Sequence, residues 1–210
     1  MSRPGTESQT TSKLTWFRDW AGEHLGTIRH ERRVAAIASS LIDVTFPFHD
    51  LTRAEIRLLK IAAFLHDIGR SVNRRKHPSV GARMIRRNAD LPLSKKQRRA
   101  LAYLTLRHRG LVPAAQDDPA LRRVRDPATL QLLLGILRAA DTLDSRRLSA
   151  PRLNFVRRGR RIRIVCRVRD DSAAARRIFS RRKKFRLLEE MLNCRIDVVI
   201  VARRRLCAVA

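Results

Sequence analysis

Six side chains of this sequence have the chemistry of a metal site. They are four histidines and two aspartates: His30, His66, Asp67, His77, His108 and Asp141. Imidazole nitrogens and carboxylate oxygens that converge inside a protein are most simply explained by a bound metal ion. The other two histidines, His24 and His49, lie in polar contexts and are predicted to be surface residues.

Five of the six candidates fall on apolar helix faces or at helix ends, where their side chains are directed toward a core. His30 shares a predicted helix face with Val34 and Ile37, and Asp141 follows Leu137 by four residues. A carboxylate that is buried without a partner costs several kcal/mol. Taken singly, each histidine is more simply a core residue and each aspartate a helix cap or an ion-pair partner. The coincidence of six such residues favours the metal site.

The first 150 residues are predicted to form a helical domain. Helices are expected at residues 14–25, 27–44, 52–67, 78–89, 94–109 and 127–147, after a disordered tail over residues 1–13. Three helix starts have recognisable capping signals. These signals are Thr52 with Glu55, Ser94 with Gln97, and Asp126 with Pro127. A domain over residues 14–150 would therefore position the metal site.

Residues 151–210 are predicted to form a small α+β appendage. Alternation around Gly159 predicts a β-hairpin over 153–168, followed by a helix at about 172–192 and a strand at about 194–201. This segment holds 19 basic and 5 acidic residues, against 28 and 14 in the first 150. It is therefore expected to bind polyphosphate or RNA. The predicted contacts are Arg157, Arg158, Arg160, Arg161, Arg181, Arg182, Lys183 and Lys184.

Composition restricts the class of protein. With 210 residues, of which 44% are hydrophobic, the chain can fold as one domain with a small appendage. A net charge of +28 favours a polyanionic partner or substrate. No apolar run approaches the ~20 residues that cross a bilayer, and no apolar signal segment is seen. Three cysteines without a Cys-x-x-Cys pair fit a cytoplasmic protein without disulfides.

The candidate ligands lie in motifs that resemble a known superfamily. His30, the pair in Phe-Leu-His66-Asp67-Ile-Gly-Arg, and Asp141 in Arg-Ala-Ala-Asp-Thr-Leu-Asp are similar to the metal-binding signature of the HD phosphohydrolases. His77 and His108 resemble the extra histidines of members that hold two metals. Over about residues 27–201 the chain is most similar to the C-terminal HD-like region of the exopolyphosphatase/guanosine pentaphosphate phosphatase (Ppx/GppA) family. The resemblance implies a mostly α, HD-type helical bundle.

The resemblance also implies roles for individual residues. One divalent metal ion would be held by His30, His66, Asp67 and Asp141. A second would be held by His77 and His108, with Asp67 bridging the two as the central catalytic residue. Such nitrogen and oxygen ligands suit Mn, Fe, Co, Ni, Zn or Mg, and two ions can clamp a phosphoryl group and activate water. Phosphate contacts are expected from Arg70, Arg107 and Arg109.

Three functions follow from these observations. The favoured one is a metal-dependent phosphohydrolase that acts on a nucleotide, a hyperphosphorylated guanosine nucleotide or polyphosphate. The second is a module that binds polyphosphate or RNA through its arginine-rich surface without catalysis. The third is a diiron oxygenase of the HD type. The 210 residues contain no counterpart of the actin-like catalytic domain of the Ppx/GppA family, so the activity of that domain is not carried over.

Overall fold

A bundle of helices makes up most of the structure. The structure is a computed structural model that describes residues 6–122, 124, 126–146, 149–169, 173–179 and 181–202. Its helices are α1 (Thr6–Leu25), α2 (Arg29–Thr45), α3 (Arg53–Leu65), α4 (His77–Arg87), α5 (Lys95–Arg107) and α6 (Pro127–Leu143). The mostly α architecture is confirmed. Helix α1 begins before the predicted start at residue 14, and residues 1–5 of the predicted tail lie outside the described residues.

The predicted capping signals begin three of these helices. The Thr52 hydroxyl accepts a hydrogen bond from the Glu55 amide, and the Glu55 carboxylate accepts one from the Thr52 amide. Ser94 and Gln97 form the same reciprocal pair at the start of α5. Asp126 caps α6 ahead of a proline. Since each cap satisfies backbone amides that the helix leaves free, these boundaries are fixed locally.

The core of the bundle is built around α6. Every residue of α6 from Leu130 to Leu143 is buried, and the helix packs against α2, α3 and α5. Most of its residues are leucine, isoleucine or alanine, and they occupy all sides of the helix. A helix that is apolar all round belongs at the centre of a bundle. This position explains why Asp141, near the end of α6, is drawn into the interior.

The C-terminal unit is a three-stranded sheet with two short helices. Its elements are β1 (Arg152–Arg158), β2 (Arg161–Val168), α7 (Ala173–Phe179), α8 (Arg186–Leu192) and β3 (Arg195–Ala202). Strands β1 and β2 pair antiparallel around Gly159, as the alternation predicts, and β3 pairs parallel to β2. The parallel pairing requires the crossover that α7 and α8 provide.

The helix predicted over residues 172–192 is divided into two. Between α7 and α8 the chain forms a short 3-10 helix, Arg182–Lys184. Phe179 at the end of α7 packs with Cys166 and Val168 against the sheet, whereas Phe185 packs into the core of the bundle. One straight helix cannot direct both phenylalanines to these two separate cores. The prediction of a continuous helix was therefore wrong, because sequence periodicity does not distinguish two cores.

Helix α8 joins the C-terminal unit to the bundle through a close helix crossing. A Cβ atom at Gly135 of α6 would lie 3.0 Å from the Cα atom of Leu188. Leu188 and Leu192 are buried in the same core as α6. Strand β1 also packs against α2. These contacts fix the C-terminal unit beside the end of the bundle that carries Asp141.

A second glycine contact brings α4 to the segment after α3. The chain forms a 3-10 helix, Ile68–Ser71, at this point. A Cβ atom at Gly69 would lie 2.2 Å from the carbonyl oxygen of His77 and 2.5 Å from the amide nitrogen of Gly81. These are backbone atoms and cannot rotate away. The absence of a side chain at Gly69 therefore allows His77 to approach Asp67.

The helices and the cysteines can be compared with the predictions about membrane crossing and disulfides. Within the described residues, no helix combines the length and the apolar character needed to cross a membrane. Cys166 is buried and Cys194 is half-buried, and both are free thiols, as expected. Cys207 lies outside the described residues.

Replacing Gly69 by alanine tests the close approach of α4. The new methyl group must displace backbone, so we expect Gly69→Ala to lower the free energy of unfolding by about 1–3 kcal/mol, the usual range for overpacking. Urea denaturation followed by circular dichroism measures the change. Gly22 is the matched control, because it lies within α1 and nothing is within 4 Å of its Cβ position. Gly22→Ala should be neutral or stabilising by roughly 0.5–1 kcal/mol. Equal effects of the two substitutions would contradict this packing.

Candidate metal centre

The six predicted ligands form two compact, buried groups. One contains His30, His66 and Asp141, and the other contains Asp67, His77 and His108, with one ligand atom from each residue within 4.8 Å of the others. None of the six is more than 9% exposed. Each group could hold a metal ion. Sequence spacing points to all six positions, and the fold brings them together.

Short distances join imidazole nitrogens to carboxylate oxygens in both groups. In the first, Oδ1 of Asp141 lies 3.3 Å from Nε2 of His30 and 3.6 Å from Nε2 of His66. In the second, Oδ1 of Asp67 lies 3.1 Å from Nε2 of His77 and 3.5 Å from Nε2 of His108. Each carboxylate therefore faces two imidazoles across a gap of the size that a shared cation would bridge.

The two groups lie side by side. The imidazole rings form a continuous series in which His30 is 5.4 Å from His66, His66 is 5.1 Å from His108, and His108 is 5.2 Å from His77, measured between ring centroids. Asp67 directly follows His66 in the chain, at the point where α3 ends. The helix end thus places one ligand in each group, so the arrangement is suited to one ion or to two.

The other nitrogen of each imidazole has an acceptor of its own. Nδ1 of His66 lies 2.9 Å from the Ala63 carbonyl oxygen. Nδ1 of His77 lies 2.8 Å from the Arg74 carbonyl oxygen, and Nδ1 of His108 lies 2.7 Å from the Thr105 carbonyl oxygen. In His30, Nδ1 lies 2.8 Å from Oδ2 of Asp144. Oxygen atoms of these kinds accept hydrogen bonds, so all four Nδ1 atoms donate. Partners of this type orient metal-binding histidines.

With every Nδ1 atom so engaged, the Nε2 atoms are directed at carboxylate oxygens. Nε2 of His30, Nε2 of His66 and Oδ1 of Asp67 are buried without a hydrogen-bond partner in the described part of the chain. Nε2 of His77 is 3.3 Å from Nε2 of His108, so two nitrogens with the same role face each other. Lone pairs in such proximity require positive charge between them. A metal ion fits this donor set.

Electrostatic interactions keep both carboxylates ionised. Burial raises the pKa of Asp67, but its interactions with the neighbouring imidazoles, that of His66 first, outweigh burial and hold that pKa well below its ordinary value. Interactions with the imidazoles of His30 and His66 overcome burial in the same way and lower the pKa of Asp141. Burial lowers the pKa of His108 to about 4, which leaves its Nε2 free to bind a cation at neutral pH.

The pKa of His30 is raised, whereas that of His108 is lowered. Burial alone lowers its pKa, but the carboxylates of Asp141 and Asp144 outweigh burial and raise it to about 9. Because a ligand nitrogen must be unprotonated, a metal ion at this position would replace the proton that the metal-free protein holds there. The site therefore carries positive charge whether or not a metal ion is bound.

The grouping differs in one respect from the arrangement that the resemblance implied. Asp67 was expected to join His30 and His66 at the first ion and to bridge to the second. In the structure its Oδ1 faces His77 and His108, while its Oδ2 accepts a hydrogen bond from Arg146 at 3.1 Å. Asp67 is thus grouped with the second pair of histidines. Its neighbour His66 provides the connection to the first group.

Three residues that support the site were not predicted. Arg146 pairs with both Asp67 and Glu31, and Glu31 is fully buried although it is charged. Asp144 binds Nδ1 of His30 and accepts a 2.6 Å hydrogen bond from Arg33. Asp144 stands in the Asp-Thr-Leu-Asp motif, and Glu31 follows a candidate ligand, so both had a signal in the sequence. Nothing in the sequence distinguished Arg146 from the other arginines.

The three arginines predicted to contact phosphate lie in different environments. Arg70 is partly exposed, and its Nε atom is 3.7 Å from Oδ2 of Asp67. Arg109 is exposed beside His108. Arg107 instead donates two hydrogen bonds, of 2.9 and 2.8 Å, to the buried carboxylate of Asp118. This pairing engages its guanidinium group, and contact of Arg107 with phosphate stays a prediction.

The predicted polyanion-binding residues are likewise divided. Arg160 donates to the carbonyl oxygens of Leu192 and Asn193 at the end of α8, and Arg182 pairs with Glu189 and the Ile196 carbonyl. These contacts engage both side chains in holding the C-terminal unit together. Binding of a polyanion by Arg160 and Arg182 stays a prediction. Seven of the eight side chains are exposed, and Lys184 is half-buried. Arg157 lies 5.7 Å from the Phe48 ring centroid. Besides Arg160 and Arg182, the exposed side chains are Arg157, Arg158, Arg161, Arg181 and Lys183.

The two unassigned histidines lie outside both groups. His24 is half-buried, with Nδ1 donating to the Trp20 carbonyl at 3.0 Å. His49 is also half-buried and accepts a hydrogen bond from the Leu51 amide. Each keeps part of its ring exposed, as expected of a surface residue. Both provide histidine controls away from the metal centre.

Comparison with known proteins identifies the family. Residues 23–165 match the family described as Ppx/GppA phosphatase, domain III. A search of curated proteins finds no match. The matched region runs from the end of α1 into β2 and contains all six residues of the two buried groups. Since it also covers more than half of the chain, this protein belongs to the Ppx/GppA phosphatase domain III family.

Proposed function

We propose that this chain is a metal-dependent phosphohydrolase of the HD superfamily. Its substrate is a phosphate ester or anhydride, in a nucleotide, a hyperphosphorylated guanosine nucleotide or polyphosphate. The observation that carries the proposal is the set of four Nε2 atoms directed at two buried carboxylates, with every Nδ1 atom already hydrogen-bonded. Such an array gathers donor atoms that need protons or a cation between them. It is suited to holding divalent cations.

The ligands would be divided between two positions. His30, His66 and Asp141 would hold one ion, and Asp67, His77 and His108 would hold the other. Their nitrogen and oxygen donors suit Mn, Fe, Co, Ni, Zn or Mg. Bound divalent ions supply Lewis-acid activation of water and neutralise phosphate charge. Asp67 takes the central catalytic role because it belongs to the second group and directly follows His66 of the first group in the chain.

The protein's own cations would complete a phosphate site. Arg70 lies beside Asp67 and is partly exposed, so its guanidinium group can donate to a phosphate oxygen while remaining near the metal centre. Arg109 offers a second exposed donor next to His108. Arg146 is already paired with Asp67 and Glu31, and it acts as a positioning residue that turns Oδ1 of Asp67 toward the histidines. Binding and orientation are thus shared among three arginines.

Metal analysis tests the ligand set. Protein purified without chelators is expected to contain divalent metal, and Asp67→Ala and His66→Ala should each lower its metal content, because each removes one ligand from one of the two groups. Inductively coupled plasma mass spectrometry after dialysis measures the metal content. His49→Ala is the matched control and should retain it. Chelation should also lower the melting temperature of the wild type, since bound ligands stabilise the folded state. Full stoichiometric metal in either ligand variant would show that these residues are not the ligands.

Phosphate release tests the activity. Hydrolysis of nucleotides or polyphosphate should require the metal and should be abolished by Asp67→Ala. Arg70→Ala should reduce the rate by roughly 10²–10³, the effect of losing one donor to transition-state charge. Colorimetric phosphate detection over a substrate panel, with each divalent metal added in turn, gives both rates. Equal rates for wild type and Asp67→Ala on every substrate would exclude this enzymatic function.

A second candidate function is polyanion binding by the C-terminal unit without catalysis. The observation that favours it is the end of the β-hairpin, where Arg158 and Arg161 are exposed and form no ion pair within the described residues. Polyphosphate or RNA bound there would release counterions, with little sequence preference. This function requires no metal. A chain that binds polyphosphate but releases no phosphate under any metal condition would favour it over hydrolysis.

Salt dependence measures the interaction of the hairpin with a polyanion. Replacing both Arg158 and Arg161 by glutamine should weaken polyphosphate binding. It should also make the slope of log affinity against log salt concentration less steep by roughly 1.4, which is about 0.7 for each phosphate that the variant no longer neutralises. Fluorescence anisotropy with labelled polyphosphate gives the slope. The matched control replaces Lys95 and Lys96 by glutamine. These two exposed lysines lie at the start of α5, so the control removes the same charge at a different place on the surface. If both double variants change the slope equally, the hairpin is not a specific binding surface.

A further inference from the structure

A cleft of about 930 Å³ lies where the C-terminal unit packs against the bundle. Its walls are residues 110–116 after α5, one side of α6, and residues 183–191 around the start of α8. Side chains from all three segments line it. They include Val112, Gln131, Arg138, Lys183, Lys184 and Met191. Neither the helical domain nor the C-terminal unit forms this cleft alone.

The cleft shares a wall with the metal centre. Arg138, which lines the cleft, stands three residues before Asp141 on α6. Its guanidinium group donates hydrogen bonds of 2.6 and 2.9 Å to the carbonyl oxygens of Arg107 and Gly110. These two carbonyls flank His108 in the sequence. A ligand in the cleft would therefore lie beside the backbone segments that carry Asp141 and His108.

The cleft concentrates positive charge that the protein does not neutralise. Lys184 is half-buried, and the cations Arg138, Arg109 and Arg181 act on it together with the carboxylate of Asp141. Burial lowers the pKa of Lys184 to about 8. Within the described residues, neither Lys183 nor Lys184 forms an ion pair, whereas the nearby Arg186 is paired with Glu190 at 2.7 Å. A partly desolvated lysine among cations is stabilised when an anion binds.

Apolar side chains line the rest of the cleft. Leu111, Val112, Leu187 and Met191 contribute to its walls, and Leu111 is 86% exposed. A linear polyphosphate has no apolar surface to bury against them. A phosphate carried on an organic group that has apolar faces would use both the cations and the apolar walls. Pockets that combine apolar walls with a few charged groups are typical of small-molecule sites.

We propose that this cleft binds an organic phosphate, with Lys184 donating to a phosphate oxygen and the apolar walls receiving the organic group. The C-terminal unit thereby supplies a substrate-binding residue to the neighbouring metal centre. Only the assignment of the ligand as substrate rests on the proposed function. Binding itself requires no metal and no hydrolysis.

Calorimetric titration of the full chain in EDTA tests the cleft. The probes are guanosine monophosphate, adenosine monophosphate and inorganic tripolyphosphate. We expect a nucleoside monophosphate to bind, and Lys184→Gln to weaken that binding by about 10-fold to 100-fold, the effect of losing a hydrogen bond to a charged group. Lys184→Arg should retain most of the affinity. Lys60→Gln is the matched control, because Lys60 is also a half-buried lysine but lies on α3 outside the cleft.

The outcomes separate this inference from the proposed function. If Lys184→Gln weakens nucleotide binding but no phosphate is released with any metal, the cleft stands and the enzymatic proposal fails. If the chain hydrolyses phosphate and Lys184→Gln changes neither affinity nor KM, the inference about the cleft is wrong and the enzymatic proposal stands. Absence of nucleotide binding by the wild type, or tighter binding of tripolyphosphate than of either nucleotide, would also overturn it. Unchanged melting temperatures of the variants show that they are folded.

Discussion

Two buried carboxylates that each face two imidazole nitrogens are the constraint on which the rest of this structure depends. Both Asp67 and Asp141 are ionised and almost inaccessible to water. Charges in such a place are tolerated only when opposite charge lies within a few ångströms. The surrounding protein provides part of that charge through Arg146, and protons or a metal ion at the histidines provide the remainder. The centre is therefore coupled to the stability of the bundle.

The fold meets this constraint at the ends of its helices. His66 and His108 are the residues at which α3 and α5 end, and their Nδ1 atoms donate to carbonyls three residues earlier. A helix terminus leaves such carbonyls without partners, so it offers ready acceptors for a ligand histidine. His77 opens α4, which approaches only because Gly69 has no side chain. Helix boundaries and one glycine thus place three candidate ligands without any irregular core packing.

The parts of this arrangement that depend on local chemistry were predictable from the sequence. Capping pairs, the hairpin turn and the apolar faces that turn His30 and Asp141 inward are readable from residues close together in the chain. The supporting ion pairs were not. Glu31 and Arg146 are 115 positions apart, and an arginine gives no local sign of its partner among so many others. The same holds for Arg107, whose pairing with Asp118 depends on how the following loop folds back.

Helix α6 unites the metal centre, the cleft and the C-terminal unit. Over successive turns it provides Gly135 for the crossing with α8, Arg138 for the wall of the cleft, and Asp141 for the first group of ligands. Because α6 is buried over nearly its whole length, these three positions cannot shift independently. The position of Lys184 relative to Asp141 is then set by how closely α8 packs on Gly135. A larger side chain at that crossing would move the lysine away from the metal centre even though both sites kept all their own residues.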